Sequence, residues 1–401
     1  GLAVAVAVER NVFTRGFSAA DCVLCGKCLA GCHYTGITVE RAREFMKEAT
    51  VAPAWHPELA SCIRCGKCDH RCAKDAHPSD LWRECLERRR DGEKEVPSPM
   101  AYAVNGMGVE GWSANFFRDI YRGMGKKDRE TLRSWAAPKN GRDLLWVGCG
   151  DRMSPRTLAE SHALRNLPKF GGPDDCCGVW AVQGGLLEEG YRIAGRLVGR
   201  LKECRFERLV VSCGHCQKVL TRILPDTLGI ELPFPVISIY QYFLELIENG
   251  SSRPTPLRVE AAVSDSCFGC ENGEAYLDSI RGLATTVGMT VSELPHNRED
   301  SLCCGYGGLF GDGKVAGVLQ TARIKRRDLA EAGRKHILSY CPGCHLVNQY
   351  LQPGYRSHYL LEDVLIALDG KVAGPFSTFH RRLARPHIAW NLARVAGAAL
   401  L

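Results

Sequence analysis

The sequence DDCCGVWA at residues 174–181 has a counterpart in SLCCGYGG at residues 301–308. Each stretch places two cysteines directly before a glycine. Adjacent cysteines reach the separation and torsion of a disulfide only with strain, so the two pairs are poorly suited to internal disulfides. The repetition predicts two related units, in each of which the cysteine pair has the same role.

Apolar segments that end at cysteines surround each Cys-Cys-Gly triplet. Four such segments, which we predict to be strands, occupy residues 143–150, 208–216, 257–267 and 336–344. Helices are predicted near 181–204 and 314–332, after the triplets. Strands that alternate with helices form parallel sheets, so we expect an α/β fold with the cysteines at the carboxyl ends of strands, where open sheets bind ligands.

Each unit contains five cysteines in the same order. The first set is Cys149, Cys176, Cys177, Cys213 and Cys216, and the second is Cys267, Cys303, Cys304, Cys341 and Cys344. Five thiolates are one more than a cubane cluster needs. Cys85, Cys204 and Cys270 are expected to be ordinary residues, although Cys270 could take the place of Cys267.

Two further cysteine runs share the spacing C-x2-C-x2-C-x3-C: CVLCGKCLAGC at 22–32 and CIRCGKCDHRC at 62–72. In such runs three thiolates hold one 4Fe–4S cluster and the fourth reaches the other cluster. The crossed pattern predicts two cubane clusters, one held by Cys22, Cys25, Cys28 and Cys72, the other by Cys62, Cys65, Cys68 and Cys32. A pair of structural zinc sites is the alternative. His33 and Ala73 stand where proline usually follows the fourth cysteine.

The pattern divides the chain into five parts. A helical ferredoxin-like domain with two 4Fe–4S clusters is predicted at residues 1–95, and a linker with short helices at 96–142. The two cysteine-rich units are predicted at 143–250 and 256–370, and a basic amphipathic tail at 371–401. Because the units repeat each other, we expect a pseudo-twofold arrangement that brings their cysteines to a shared cleft, with the N-terminal domain beside one of them.

Composition limits the classes of function. The chain has 401 residues, 21 cysteines and a formal charge of +7. Metal-bound thiolates would offset this charge, so we do not predict nucleic-acid binding. Cysteine clusters in a large charged chain indicate metal in a reducing compartment, so we expect a cytoplasmic protein, with docking on a membrane partner left open. No stretch reaches the ~18 apolar residues of a membrane span, and no span is predicted.

The two units resemble the CCG domain found in the B and D components of heterodisulfide reductase, and the N-terminal part resembles the C component. The order of domains is also similar to that of the glycolate oxidase iron–sulfur subunit and of the iron–sulfur subunit of sulfite-reductase-linked membrane complexes. The resemblance implies two noncubane 4Fe–4S clusters, each held by one of the five-cysteine sets, in which adjacent thiolates bridge and cap the irons. Some CCG domains instead carry an ordinary cubane or zinc. The interval between Cys149 and Cys176 is shorter than is usual in the resembling domains, which leaves Cys149 the least certain ligand.

Two other signals are weaker. GLFGDGKV at 308–315 is close to a phosphate-binding loop, but Val315 stands where a magnesium-binding hydroxyl is needed, so no nucleotide site is predicted. His215 and His345 flank cysteines of the two sets. They either tune a cluster through hydrogen bonds to sulfur, or deliver protons, or are simply packed.

The sequence contains no dinucleotide or flavin signature, so electrons must be exchanged with a partner subunit, either flavin-containing or quinone-reactive in a membrane. The resemblance implies an oxidoreductase subunit that passes electrons from the cubane clusters to noncubane clusters, which reduce a disulfide-type substrate bound between them. No catalytic residue beyond the cysteine ligands is predicted. The alternative is an electron-transfer conduit in a dehydrogenase or bifurcating complex, without a substrate of its own.

Overall fold

The N-terminal part of the protein is helical. The computed structural model describes residues 16–91, 102–104, 115–310 and 315–376, with a few more between 386 and 393. Four helices lie in the N-terminal part: α1 (Lys27–Ala30), α2 (Val39–Val51), α3 (Lys67–His70) and α4 (Pro78–Asp91), with a 3-10 turn at Pro57–Ser61. Helices α1 and α3 begin at equivalent positions of the two cysteine runs. Phe45 and Trp82 stack between α2 and α4, with ring centroids 5.5 Å apart.

Two helices occupy the segment that the sequence predicts as a linker: α5 (Phe116–Gly123) and α6 (Lys126–Ala136). Their apolar side chains, among them Ile120 and Trp135, belong to the same core as Leu145 of the first sheet. These helices are therefore packed on the first cysteine-rich unit. Most of the predicted tail, and residues 311–314 of the stretch similar to a phosphate-binding loop, lie outside the described residues.

The first cysteine-rich unit is built on a parallel four-stranded sheet in the order β2-β1-β3-β4. Its strands are β1 (Asp143–Trp146), β2 (Lys169–Phe170), β3 (Arg208–Val211) and β4 (Val236–Ser238). Its helices are α7 (Pro155–Ala159), α8 (Val179–Gln183), α9 (Leu187–Lys202), α10 (Gly214–Lys218) and α11 (Ile239–Glu248), with a 3-10 turn at Asp151–Met153 and a π-helix at Val219–Thr227. Three consecutive residues of β1 and of β3 are buried, as in parallel strands covered by helices on both faces.

The second unit repeats this topology with the order β6-β5-β7-β8. Its strands are β5 (Glu260–Val263), β6 (Thr290–Glu293), β7 (His336–Ser339) and β8 (Arg356–Tyr359). Its helices are α12 (Cys267–Glu271), α13 (Glu274–Thr286), α14 (Val315–Glu331), α15 (Pro342–Leu351) and α16 (Leu360–Asp369), with 3-10 turns at Arg298–Asp300 and Tyr306–Phe310. The α/β fold class predicted from the sequence is confirmed.

The length and composition of the helices show whether any of them could cross a membrane. Helices α14 and α9 have 17 and 16 residues, and both carry several charged side chains. A bilayer span needs about 20 mostly apolar residues. Across the described parts of the chain, none of the helices combines the length and the apolar character that crossing a membrane demands.

The two units share one apolar core, which contains side chains of α11 and α13. Two buried hydroxyls bond across the boundary: Tyr240 donates to the carbonyl of Tyr340 (2.7 Å), and Tyr359 donates to Asp151 Oδ1 (2.6 Å). Burial raises the pKa of Asp151 to about 6, although its hydrogen bonds oppose the shift. These contacts hold the carboxyl edges of the two sheets in a fixed relation.

One buried ion pair orders the loop that approaches the second set of cysteines. Arg281 donates to both oxygens of Asp265 (3.1 and 2.8 Å), and the Asp265 side chain is fully buried. Burial by itself would raise the pKa of Asp265, but Arg281 lowers it below the usual value. Asp265 also accepts bonds from the Tyr340 hydroxyl and the Arg298 amide.

We predict that Arg281→Leu lowers the free energy of unfolding by about 3–5 kcal/mol, because it leaves the Asp265 carboxylate buried without its main counter-charge. Arg334→Leu is the matched control: it breaks an exposed pair with Glu260 (2.6 Å) and should cost less than about 1 kcal/mol. Anaerobic urea unfolding followed by circular dichroism measures both. Equal losses in the two variants would contradict this role of Arg281.

Candidate functional site

Strands β1 and β3 and the start of α8 bring the first set of cysteines together. All five are buried, and their thiols form a continuous chain of hydrogen-bonding contacts in the order Cys149, Cys176, Cys177, Cys216 and Cys213. The structure therefore places Cys149, the residue that the sequence left least certain, in the same group as the other four.

The second set has the same connectivity: its thiols are in contact in the order Cys267, Cys303, Cys304, Cys344 and Cys341. The glycine of each triplet explains part of the motif. Gly178 and Gly305 have φ of 83° and 88°, which residues with side chains rarely adopt. Each glycine amide donates to the first sulfur of its own pair at 3.4 Å.

The electrostatics of the two sets suit a cationic iron cluster. Hydrogen bonds from Cys303 and Cys344 lower the pKa of Cys304 to about 5, and bonds from Cys149 and Cys177 lower the pKa of Cys176 well below its usual value. Thiols that donate these bonds show the opposite shift, as the raised pKa of Cys344 illustrates. Five thiolates buried together require compensating positive charge, which iron would supply.

The N-terminal cysteines line two neighbouring cavities. One is lined by Cys22, Cys25, Cys28 and Cys72. The other is lined by Cys32, Cys62, Cys65 and Cys68, with Cys28 at the shared wall. Each cavity is thus lined by the four thiols of one predicted quartet, and four thiols fit the ligand set of a cubane.

The three cysteines left out of the predicted sets lie elsewhere. Cys85 is in the apolar core of the N-terminal part, and Cys204 accepts a bond from the Lys139 amide (3.4 Å). Cys270 accepts a bond from Lys67 Nζ (2.9 Å). Cys270 therefore lies outside the second set. Cys267, at the start of α12, belongs to the set.

The N-terminal domain lies against the second set of cysteines. The amide of Cys303 donates to the hydroxyl of Tyr34, two residues after Cys32, at 2.9 Å. Burial is the main cause that raises the pKa of Cys65, and the charge of Cys267 across the boundary adds to it. The quartet that includes Cys32 and Cys65 is therefore the one beside the second unit.

Lys67 fixes this contact. Its side chain is buried, and its ammonium group donates to the Cys270 sulfur, the Ser301 hydroxyl (2.8 Å) and the carbonyls of Arg298 and Glu299 (both 3.0 Å). Lys67 immediately precedes a cysteine of the N-terminal quartet, and Ser301 lies two residues before the second cysteine pair. A single side chain therefore connects the two loops that carry these cysteines.

A small cavity lies where the three domains meet. Ile63 and Arg64 of the N-terminal domain and Trp180 and His215 of the first unit line one side of it. The cysteines that line it are Cys267, Cys303, Cys304, Cys341 and Cys344. Among the described residues, no cysteine of the first set reaches this cavity. This cavity therefore differs from the expected cleft, which was to be shared by both cysteine pairs.

Aromatic side chains fill the space between the two sets. Trp180 packs edge-to-face on His215 (5.1 Å between centroids) and on Tyr306 (5.5 Å), and His215 also meets Phe268. Burial raises the pKa of Tyr306, and the nearby cysteines of both sets raise it further, which places Tyr306 between them. Tyr306 and the rings packed on it therefore occupy space between the two sets.

The two flanking histidines differ. His215 contacts Cys213 and lines the cavity. His345 is buried, stacks on Tyr359 and bonds through Nδ1 to the Ser357 hydroxyl (2.9 Å), and burial lowers its pKa to about 4. His345 is therefore a packed neutral histidine, whereas His215 faces the site.

Four residues of the site were not identified from the sequence: Tyr34, Lys67, Trp180 and Tyr306. An aromatic residue follows each Cys-Cys-Gly triplet within two positions, and this was a usable signal for Trp180 and Tyr306. No local signal identified Tyr34 or Lys67, because their partners lie 269 and 203 residues away along the chain.

Comparison with known proteins agrees with this architecture. A model of the cysteine-rich (CCG) domain family matches residues 144–221 and 262–347, and one of the 4Fe-4S dicluster domain matches residues 21–77. The D component of dihydromethanophenazine:CoB–CoM heterodisulfide reductase from Methanosarcina barkeri is 22% identical over 392 residues, which cover 86% of this chain and 91% of the relative. The chain is a homologue of the heterodisulfide reductase D component.

Two further known proteins are similar to this chain. The corresponding component of the Methanosarcina mazei enzyme is 23% identical, over 86% of this chain and 92% of the relative. The EtfAB:quinone oxidoreductase of Syntrophomonas wolfei is 27% identical over 227 residues, which are 52% of this chain and 31% of that protein. The chain is thus an iron–sulfur electron-transfer component of the oxidoreductase class.

We predict that Lys67→Met lowers the free energy of unfolding by at least about 2 kcal/mol, since Ser301, Cys270 and two carbonyls lose a buried donor. Lys74→Met, at an exposed position of the same domain, should change it by less than about 0.5 kcal/mol. Both are measured by anaerobic urea unfolding, with iron content checked first. A Lys67 variant as stable as wild type would show that other contacts hold the domains together.

Proposed function

We propose that the protein is the subunit of a heterodisulfide-reductase-like complex that receives electrons at its N-terminal domain and reduces a disulfide-type substrate at its cysteine-rich units. One observation carries this proposal: the second set of cysteines contacts the N-terminal domain and also lines a cavity that both that domain and the first unit border. Electrons and substrate would therefore meet at the same five thiols.

The ligand assignments follow the groupings of thiols in the fold. The two quartets of N-terminal cysteines hold two cubane 4Fe–4S clusters, and the two sets of five hold two noncubane 4Fe–4S clusters. When bound, these clusters supply one-electron steps that together make a two-electron reduction. The chain supplies the thiols, buries them and sets the distances between them.

Electrons enter near Cys22 and Cys25. Val23, between them, is 61% exposed, so a partner can approach this quartet closely. We expect the partner to be a flavin-containing subunit or a quinone-reactive membrane subunit, and this protein to be cytoplasmic. The contact made by Tyr34 then brings the quartet that includes Cys65 next to the second set of cysteines.

A cluster held by the second set of cysteines would fill this cavity, and a small organic disulfide would approach the cluster past the side chains around it. Ile63, Trp180 and Phe268 offer apolar walls, and Arg64 and His215 add polar groups. Reduction of R–S–S–R′ takes two electrons and two protons, breaks the S–S bond and gives RSH and R′SH. Imidazole is the most frequent proton donor in enzyme sites, so His215, at the cavity wall, is our choice for the donor to a product thiolate.

A conduit without its own substrate is the second candidate function. It is favoured by the aromatic barrier, because Trp180 and Tyr306 separate the first set of cysteines from the cavity. The similarity to part of the EtfAB:quinone oxidoreductase points in the same direction. In this case electrons would pass from the cysteine-rich units to a quinone-linked partner.

Thiol binding separates the two candidates. A thiol added to the oxidised protein should shift the paramagnetic spectrum of a cysteine-rich unit if a substrate sulfur binds at the cavity. We expect this shift, and we expect Trp180→Ala to increase it, because the smaller side chain opens the way to the first set. Spectra that do not respond to any thiol in either protein would support the conduit.

We predict about 16 iron atoms per chain in anaerobically prepared protein, from four 4Fe–4S clusters. The reason is that the fold assembles two quartets and two complete sets of five thiols. Elemental analysis by inductively coupled plasma measures the iron. A value of about 8 irons would contradict the assignment of clusters to the cysteine-rich units.

We predict that Cys304→Ser abolishes disulfide reduction and leaves the cubane signals in the paramagnetic spectrum, because Cys304 bonds to thiols of its own set. Cys270→Ser is the matched control: Cys270 is also buried and lies in the same unit, but it bonds to Lys67 instead. It should retain both activity and iron. Loss of every cluster in the Cys304 variant would show that the domains assemble only together.

A further inference from the structure

A group of three polar side chains bridges the N-terminal domain and the second unit outside the cysteine site. His33 follows the last cysteine of the first run, and His296 and Asp300 lie on the loop that leads to the second cysteine pair. One ligand atom from each lies within 4.8 Å of the others. His33 Nε2 is 3.6 Å from Asp300 Oδ1, and His296 Nε2 is 3.9 Å from Asp300 Oδ2.

His33 is also a departure from the usual iron–sulfur motif. Proline usually occupies this position, and the cluster ligands do not explain an imidazole there. In the structure its ring packs edge-to-face on that of His296, with centroids 5.0 Å apart. The unusual residue therefore meets a second histidine across the domain boundary.

A buried carboxylate orients His296. Asp328 Oδ1 is 2.8 Å from His296 Nδ1 and also accepts the His296 backbone amide (3.1 Å), while the Asp328 side chain is almost fully buried. This bond leaves Nε2, the nitrogen nearer Asp300, available for another partner. Histidines that bind metal usually donate their other ring N–H to a carboxylate in this way.

The donor set and its spacing suit a divalent transition metal. Zinc bonds of about 2.0–2.2 Å to imidazole nitrogen and carboxylate oxygen place tetrahedral ligand atoms about 3.4 Å apart. The observed separations are wider, 3.6 and 3.9 Å from the imidazoles to the two carboxylate oxygens and at most 4.8 Å between any two ligand atoms, so side-chain rotations would complete the site. Three protein ligands leave one position for water.

The positive charge of Arg71 opposes metal binding at this group. Its Nη2 donates to Asp300 Oδ1 at 3.2 Å, so it engages the oxygen nearer His33 and leaves Oδ2, on the side of His296, more available. The guanidinium lowers the affinity of the site for a cation. Removal of this charge should therefore strengthen metal binding.

We propose that His33, His296 and Asp300 bind a divalent transition-metal ion of the zinc class, which fastens the N-terminal domain to the second cysteine-rich unit. The ion would bridge the residue after Cys32 to the loop that ends at Cys303. It would thus reinforce the boundary that other side chains already cross. The proposal does not depend on the reaction assigned to the cysteines, because the same boundary exists in a reductase and in a conduit.

The test uses the full chain with its iron clusters in place, under anaerobic conditions, with Zn²⁺ as the probe. Wild-type protein, treated with a mild chelator, should take up one zinc per chain in equilibrium dialysis without loss of iron. His33→Gln, His296→Gln and Asp300→Asn should each weaken zinc binding at least tenfold, whereas Arg71→Gln should strengthen it. His162→Gln, at an exposed position of the first unit, is the matched control and should bind as wild type does.

X-ray absorption at the zinc edge identifies the ligands directly. We expect only nitrogen and oxygen neighbours at about 2.0–2.2 Å, whereas zinc in a cysteine site would show sulfur at about 2.3 Å. Sulfur neighbours, no zinc uptake, or equal uptake by wild type and all three ligand variants would overturn the proposal. If His33→Gln fails to assemble its clusters, the variants of His296 and Asp300, which lie in the other domain, decide the outcome.

Discussion

Burial of thiols at the carboxyl ends of parallel strands is the constraint on which this structure depends. In each unit five sulfurs meet in a region from which water is excluded, and hydrogen bonds among them lower the pKa of one cysteine of each pair, Cys176 in the first and Cys304 in the second. Further ionisation requires positive charge from a metal cluster. The glycine after each cysteine pair also favours a thiolate, because its backbone amide donates a hydrogen bond to sulfur.

The boundary between the N-terminal domain and the second unit connects these buried sites. Lys67 shares its three N–H donors among four nearby acceptors there, and the Tyr34 hydroxyl accepts the amide of Cys303. Both residues are next to or near cysteines of the N-terminal runs, so the domain contact and the proposed electron path coincide. The two cysteine-rich units are joined by a separate, largely apolar core, with Tyr240 and Tyr359 bonding across it.

The aromatic barrier makes the two sets of cysteines differ. The second set lines a cavity that Trp180, Tyr306 and His215 also border, whereas the first set does not line that cavity. In a reductase these rings would have to move to let a substrate sulfur reach the first set. In a conduit they would keep the first set inaccessible to substrate. The same few side chains would therefore have different roles in the two proposed functions.

The sequence by itself determined the α/β class, the two repeated units and the grouping of cysteines into two quartets and two sets of five. Spacing was sufficient because these cysteines lie on short loops and at strand ends, where local sequence sets their position. Only the tertiary structure removed Cys270 as an alternative to Cys267, placed Trp180 and Tyr306 at the cavity of the second set, and brought His33 against His296. The contacts that close the domain boundary join side chains more than 200 residues apart, so they follow from the packing of whole domains and have no local signature.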